Sequence, residues 1–166
     1  LSCSAFTANA GGGTMTFSTW INMATGSFGG ANKYIMQLKD LNSGQISVEL
    51  YLQGNGKLFF KRYSDLGSQR CALDGFEEQY SGSWVHLAVT SGTSTGADGN
   101  SRIYVNGDLQ SLDTDLEDSS GASPLPLTGA LFLMSQADTP PSPIYRTFNG
   151  KMDECTFWSK ELSSAN

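Results

Sequence analysis

The residues able to do chemistry are few and mostly isolated. His86 is the only histidine, and no Ser or Cys stands with it in a motif that would make a nucleophile–base pair. Cys3, Cys71 and Cys155 are spaced too widely for a zinc site, whose ligands come in close pairs. An odd count allows one internal disulfide. Cys155, inside the apolar run Met152 to Trp158, reads as a buried free thiol, which favours a Cys3–Cys71 bridge and leaves the other pairings open. Glycoside hydrolysis needs two carboxylates about 5 to 9 Å apart, which on a strand means Glu-x-Asp-x-Glu or a near variant. Glu49 has Ser47 and Tyr51 at the flanking positions instead. Asp113, Asp115, Glu117 and Asp118 lie in a Ser-, Gly- and Pro-rich stretch, where carboxylates stay solvated. Hydrolysis is therefore disfavoured. Asp153, in an otherwise apolar segment, must find partners, because an unpaired buried carboxylate costs several kcal/mol.

The elements that would position these residues are strands. No stretch of ten residues holds an apolar period of 3.6, so almost no helix is expected. Period two recurs instead. In Thr14 to Met23, Met15, Phe17, Thr19 and Ile21 alternate with Thr16, Ser18 and Trp20. In Gln45 to Gln53, Ile46, Val48, Leu50 and Leu52 take one face, and Ser47, Glu49 and Tyr51 the other, the pattern of a sheet with one dry face. Gly54-Asn55-Gly56 turns this strand back into Lys57 to Tyr63. Ser83 to Ser91 is apolar on both faces and reads as a central strand. Ser101 to Val105 ends in Asn106-Gly107, a strong hairpin signal. Lys33 to Leu38, Ala130 to Ser135 and Lys151 to Trp158 read as further strands. Nine to eleven short strands and no repeat predict an all-β sandwich.

Bulk composition bounds the partners. The chain has 166 residues, enough for one domain with its own core. Nine Phe, six Tyr and three Trp argue against disorder. A net charge of −6 repels phosphate backbones and anionic membranes, which excludes nucleic acid. No apolar run approaches the roughly 20 residues that a membrane-spanning helix needs, so no membrane insertion is expected. Only 16% of residues are charged, and the abundance of Ser, Thr, Gly, Asn and Gln suits an extracellular β domain.

Four motifs in order resemble laminin-G-like domains of the concanavalin A-like lectin/glucanase superfamily. They are Phe17-Ser18-Thr19-Trp20-Ile21, then Trp84-Val85-His86-Leu87-Ala88-Val89-Thr90, then Ile103-Tyr104-Val105-Asn106-Gly107, and finally Phe148-Asn149-Gly150-Lys151-Met152-Asp153-Glu154, followed by Phe157-Trp158 and Leu162-Ser163. The resemblance implies a jelly-roll β-sandwich of two antiparallel sheets, related to pentraxins. The usual first strand fits poorly over Leu1 to Asn9, and Ser2 to Thr7 is its altered counterpart if it is present. His86 falls on a framework position, which implies a satisfied core histidine.

The resemblance also implies candidate sites. Two loops are similar to those that hold Ca2+ in the pentraxin branch, so Asp40 and Asn42, after the strand Lys33 to Leu38, are expected to converge with Gln136 and Asp138 at one rim. Thr139-Pro140-Pro141-Ser142-Pro143 replaces the further acidic ligands, making any Ca2+ site thinner. In such modules the acid matching Asp153 pins the termini through backbone N–H groups or a structural ion. Glycan recognition uses aromatic platforms with planar polar groups. Tyr51 and Tyr63 point off the polar faces of their hairpin, and Tyr145, Arg146 and Asp138 make a second candidate at the loop rim. Residues 1–166, beginning Leu1-Ser2-Cys3 without Met, are expected to be a single module excised from a larger extracellular or cell-surface protein. The expected role is non-catalytic recognition of carbohydrate or an extracellular protein, assisted by Ca2+. A structural spacer or assembly module and a glycan hydrolase are the alternatives, and the neighbouring domains of the longer chain are further expected partners.

Overall fold

Period-two alternation becomes antiparallel pairing along the chain. The computed structural model describes residues 6–7, 13–25, 30–40, 43–65, 67–92, 101–113, 125, 127–134 and 147–163. Among these, two sheets form. The six-stranded sheet contains, in spatial order, β1 (Phe6–Thr7), β10 (Thr128–Leu133), β3 (Lys33–Lys39), β4 (Ile46–Leu52), β5 (Leu58–Tyr63) and β6 (Ser68–Leu73). The five-stranded sheet contains β11 (Gly150–Trp158), β2 (Met15–Met23), β7 (Trp84–Ser91), β8 (Arg102–Val105) and β9 (Asp108–Leu109). Neighbouring strands pair antiparallel. The result is the all-β jelly-roll sandwich expected from the motifs, with β7 central in its sheet.

The core lies between the inner faces. Met15, Phe17, Ile21 and Met23 of β2 join Val85, Leu87 and Val89 of β7 in one buried cluster with Val48, Leu50, Leu52, Leu58 and Phe60 of the other sheet. Each such fully buried side chain contributes about 1.5–3 kcal/mol relative to exposure. Gly129 lets β10 approach β3: its φ is +124°, and a Cβ there would lie 2.1 Å from the Lys39 carbonyl oxygen. The helix α1 (Phe76–Tyr80) follows a left-handed Gly75 and drops Phe76 into the same core. Its single turn is too short to leave a 3.6 period in the sequence. Strand β6, sequence SQRCAL, shows no alternation either; its place follows from pairing with β5.

The outward face of β4 corrects the expectation of a wet surface. Glu49 and Tyr51 are each only 4% exposed. Tyr51 stacks on Phe59 with ring centroids 5.4 Å apart, and Tyr34 lies 5.3 Å from Tyr51. The Arg70 guanidinium sits 5.3 Å over Phe59. Beside this aromatic layer, the Gln37 amide and the Tyr63 hydroxyl each donate to the Glu49 carboxylate at 2.8 Å. The alternation reports parity, not solvent: polar residues face out because they bond to one another. Tyr51 and Tyr63 are thus committed to the sheet and are not offered to a glycan.

Burial first, then the Glu49 carboxylate, pushes the Tyr51 hydroxyl up to about 12, with Arg70 opposing. The same two causes push Tyr63 up as well. An unfolded tyrosine titrates near pH 10. The folded value lies above the unfolded one, so the neutral tyrosines stabilise fully below about pH 10, and that stability is lost as pH rises from about 10 towards about 12. Denaturant midpoints should stay level up to about pH 9 and then decline. Tyr51→Phe should remove part of the alkaline slope; an unchanged slope would disprove the assignment.

Candidate functional site

The outward positions of the five-stranded sheet meet in register. Thr16, Ser18, Trp20 and Asn22 of β2 lie opposite Thr90, Ala88, His86 and Trp84 of β7. On the other side of β2, Asp153, Thr156 and Trp158 of β11 lie opposite Trp20, Ser18 and Thr16. Tyr104 of β8 lies opposite Ala88. Because pleating sends alternate residues to one side, the inner residues of β2 build the core and the outer ones build this surface. A cleft of about 300 Å³ opens on it, lined by Thr16, Ser18, His86, Tyr104, Trp158 and Leu162 among others. A second hollow of about 470 Å³ shares Tyr104, Leu162 and Ser163 and reaches Arg102 and Glu161.

Two local devices shape the cleft. At the β8 turn, Asn106 and Gly107 have φ of 54° and 89°. The Asn106 N–H donates to the His86 carbonyl (2.8 Å), and the His86 N–H donates to Asn106 Oδ1 (3.0 Å). At the other wall, the Thr16 hydroxyl donates to the Lys160 carbonyl and accepts from the Leu162 N–H, both at 2.9 Å. An Arg102–Glu161 ion pair ties down the same segment. Thr90, only 3% exposed, lines the cleft with a buried Oγ1 that has no hydrogen-bond partner among the described residues. A buried unsatisfied hydroxyl costs about 1–3 kcal/mol.

His86 is therefore not a core residue. It is half-buried on the outward face, with its ring 5.4 Å from Trp20. Asp153 is likewise exposed, because odd parity in β11 turns it outward; its Oδ1 accepts the Glu154 N–H at 2.8 Å. Cys155 is exposed rather than buried. It sits where the β11 register shifts, with Sγ 3.2 Å from Thr19 Oγ1. Cys3 lies outside the described residues, and with it the Cys3–Cys71 pairing. Of the acidic run, Asp113 is described, 3.6 Å from Lys57 Nζ, which also binds Asp74 at 2.7 Å; Asp115, Glu117 and Asp118 lie outside.

The expected Ca2+ rim fares differently. Asp40 is half-buried in a turn closed by Gly44 N–H to Asp40 O and Asp40 N–H to Gln45 O, both 2.8 Å. Asn42, Gln136, Asp138, Tyr145 and Arg146 lie outside the described residues. Their anchors do not share a rim. Antiparallel pairing sets Ala130 against Lys39 and Leu133 against Met36, so β10 leaves the sheet where β3 begins. The Met134 N–H donates to Ile35 O and the Phe148 N–H to Met134 O, which fixes both ends of the 135–147 segment there. Along the strand that point is about 17 Å from Asp40. Asp153 lies on the other sheet. Among the described residues no group of three or more His, Cys, Asp or Glu could hold a metal. The two strand exits thus lie apart, and Asp40 is the one expected loop ligand among the described residues. The signal for the sheet-face site was present in the sequence, in the parity of Thr16, Ser18, Tyr104 and Trp158.

A laminin-G family model, described as the Concanavalin A-like lectin/glucanases superfamily, matches residues 3–166. No curated protein gives a significant sequence match. Among solved structures, the chain is similar to the botulinum neurotoxin serotype G binding domain, with 14% identity and a TM-score of 0.61 over 92% of this chain and 34% of that one. It is also similar to the heptameric SAP-like pentraxin from Limulus polyphemus, with 16% identity and a TM-score of 0.57 over 98% of this chain and 69% of that one. The chain thus spans about a third of the toxin domain. Likeness at these identities establishes the fold.

Thr16 holds the cleft wall through two bonds, so Thr16→Val should cost about 1–2 kcal/mol in chemical denaturation. The Leu162 amide should also exchange faster with deuterium. Unchanged exchange at Leu162 would show that other contacts hold the segment.

Proposed function

This chain belongs to the concanavalin A-like lectin/glucanase superfamily, and on that premise we propose that it is a recognition module that binds a carbohydrate chain on the outward face of its five-stranded sheet without cleaving it. The observation carrying this reading is the cleft, where Trp158, Tyr104 and His86 present ring surface and Ser18 adds a hydroxyl. Concave sites with aromatic walls and a few placed polar groups are the usual form of small-ligand sites. Sugar C–H faces pack on aromatic rings while sugar hydroxyls pair with side-chain hydroxyls, and Ser18 lines the cleft with one.

The placement of the described acids supports binding without cleavage. Hydrolysis needs two carboxylates flanking one bond. Here Asp153 and Glu154 are adjacent and are followed by Cys155 and Thr156, which breaks the alternate-acid spacing. Glu161, at the opposite end, is taken up by Arg102. The proposed setting is outside the cell or at its surface, as part of a longer protein; no helix among the described residues is long and apolar enough to cross a membrane.

The test is a glycan array followed by calorimetry. Trp158→Ala and Tyr104→Ala should each weaken a hit by about tenfold, or ~1.4 kcal/mol, while Tyr145→Ala should leave it intact. The opposite pattern would move recognition to the loop rim. Repeating the titration with Ca2+ and with a chelator separates the two further: binding that survives chelation belongs to the sheet face, and binding that is abolished belongs to a metal-dependent site. Reducing ends released from a bound glycan would overturn the non-catalytic reading. Hits on no glycan but on a matrix protein, or on neither, would favour the protein-partner or spacer alternatives.

A further inference from the structure

We infer that the Trp20–Trp84 end of the same face is a subsite for an alkylammonium group. Trp84 is 46% and Trp20 37% exposed, an unusual outlay of indole surface beside a well-filled core. The two rings line one hollow of about 220 Å³ together with Asp153 and Glu154. Regular alternation would send Asp153 outward and Glu154 inward. Instead, the register of β11 against β2 shifts between Asp153 and Thr156, and Glu154 takes a left-handed φ of 49°. Bulges re-aim side chains in this way, and a non-glycine residue held in that region is the kind of strain that collects at functional sites. Its effect is to set two consecutive carboxylates beside the same pair of indoles.

Among the described residues no Lys or Arg makes an ion pair with Asp153 or Glu154, and Lys151, the preceding outward position on β11, makes none with them. Indole faces attract cations through their quadrupole, and carboxylates attract them by charge, so the two pairs favour one kind of guest. A bare divalent metal is a poor fit, since Ca2+ takes six to eight oxygen ligands and half of this lining is aromatic carbon. An alkylated ammonium satisfies both halves, with carbon against the rings and charge against the carboxylates. His86 links the subsite to the cleft through Trp20. An amino sugar ending a glycan on the face would therefore seat its ammonium here. That extension rests on the carbohydrate reading; the subsite does not.

The test uses tetramethylammonium chloride, read by tryptophan fluorescence and by the indole N–H resonances of Trp20 and Trp84. Sodium chloride at matched ionic strength and tert-butanol, a neutral molecule of similar shape, serve as controls. Saturable shifts at both indoles are expected with the ammonium and neither control. The exposed double variant Asp153→Asn/Glu154→Gln should fold as the parent does by circular dichroism and bind about tenfold more weakly. Trp84→Ala, read at Trp20, should lose the response. Equal responses to tert-butanol, no saturation, or undiminished binding by the double variant would overturn the subsite. Glucosamine should outcompete glucose if the extension holds. Ammonium binding without any glycan hit would leave the subsite standing and remove only the carbohydrate reading.

Discussion

The pleat of β2 is the constraint on which both the core and the surface depend. Its odd-numbered residues, Met15, Phe17, Thr19, Ile21 and Met23, are fully buried. Its even-numbered residues carry the outward face shared with β7 and β11. A slip of one residue in either pairing would exchange the two sets, exposing the core side chains and burying Trp20. The cost of that exchange, several apolar side chains at about 1.5–3 kcal/mol each, holds the register of the face as firmly as it holds the core. Thr16 extends the same strand's influence to the chain end, through its two bonds to residues 160 and 162.

The two sheets divide the work. The six-stranded sheet buries side chains on both faces: the inner core on one, and its own Tyr34, Tyr51, Phe59 and Ala72 on the other. Even its charges are taken inside. Glu49 accepts from Gln37 and Tyr63, and Arg62, 3% exposed, donates to Ser91 Oγ at 2.9 Å. Burial pushes Arg62 down to about 10, and its Nε and Nη2 have no hydrogen-bond partner among the described residues. A buried cation so thinly paired is costly. Its place, opposite Val48 on β4 and bonded to the end of β7, spans the two sheets. The five-stranded sheet keeps one face open, and the aromatic and hydroxyl groups of the cleft collect there.

Much of this was legible in the residues. Alternation located β2, β4, β7 and β8, Asn106-Gly107 located the β8 turn, and four motifs in order identified the jelly roll. The framework position of His86 and the apolar neighbours of Asp153 point inward, yet parity decides the side: both fall on the outward phase of strands whose inward phase is apolar. The same alternation puts Glu49 and Tyr51 on the polar phase, yet both are buried there. Antiparallel pairing puts the ends of β3 and β10 at opposite edges, because strand direction is not written in composition.

Sequence alone determined the class of fold, the strands with strong alternation and the membership of the superfamily, because these depend on local periodicity and on residues close in the chain. Only the tertiary structure decided which faces are wet, where the loops are anchored and which side chains share a hollow. Trp20, Trp84 and Glu154 come together through pairing across three strands and a one-residue irregularity in β11. Such proximity depends on register and on a backbone turn of a few tens of degrees. Both are set by the packing of the whole sandwich, and no short stretch of residues encodes them.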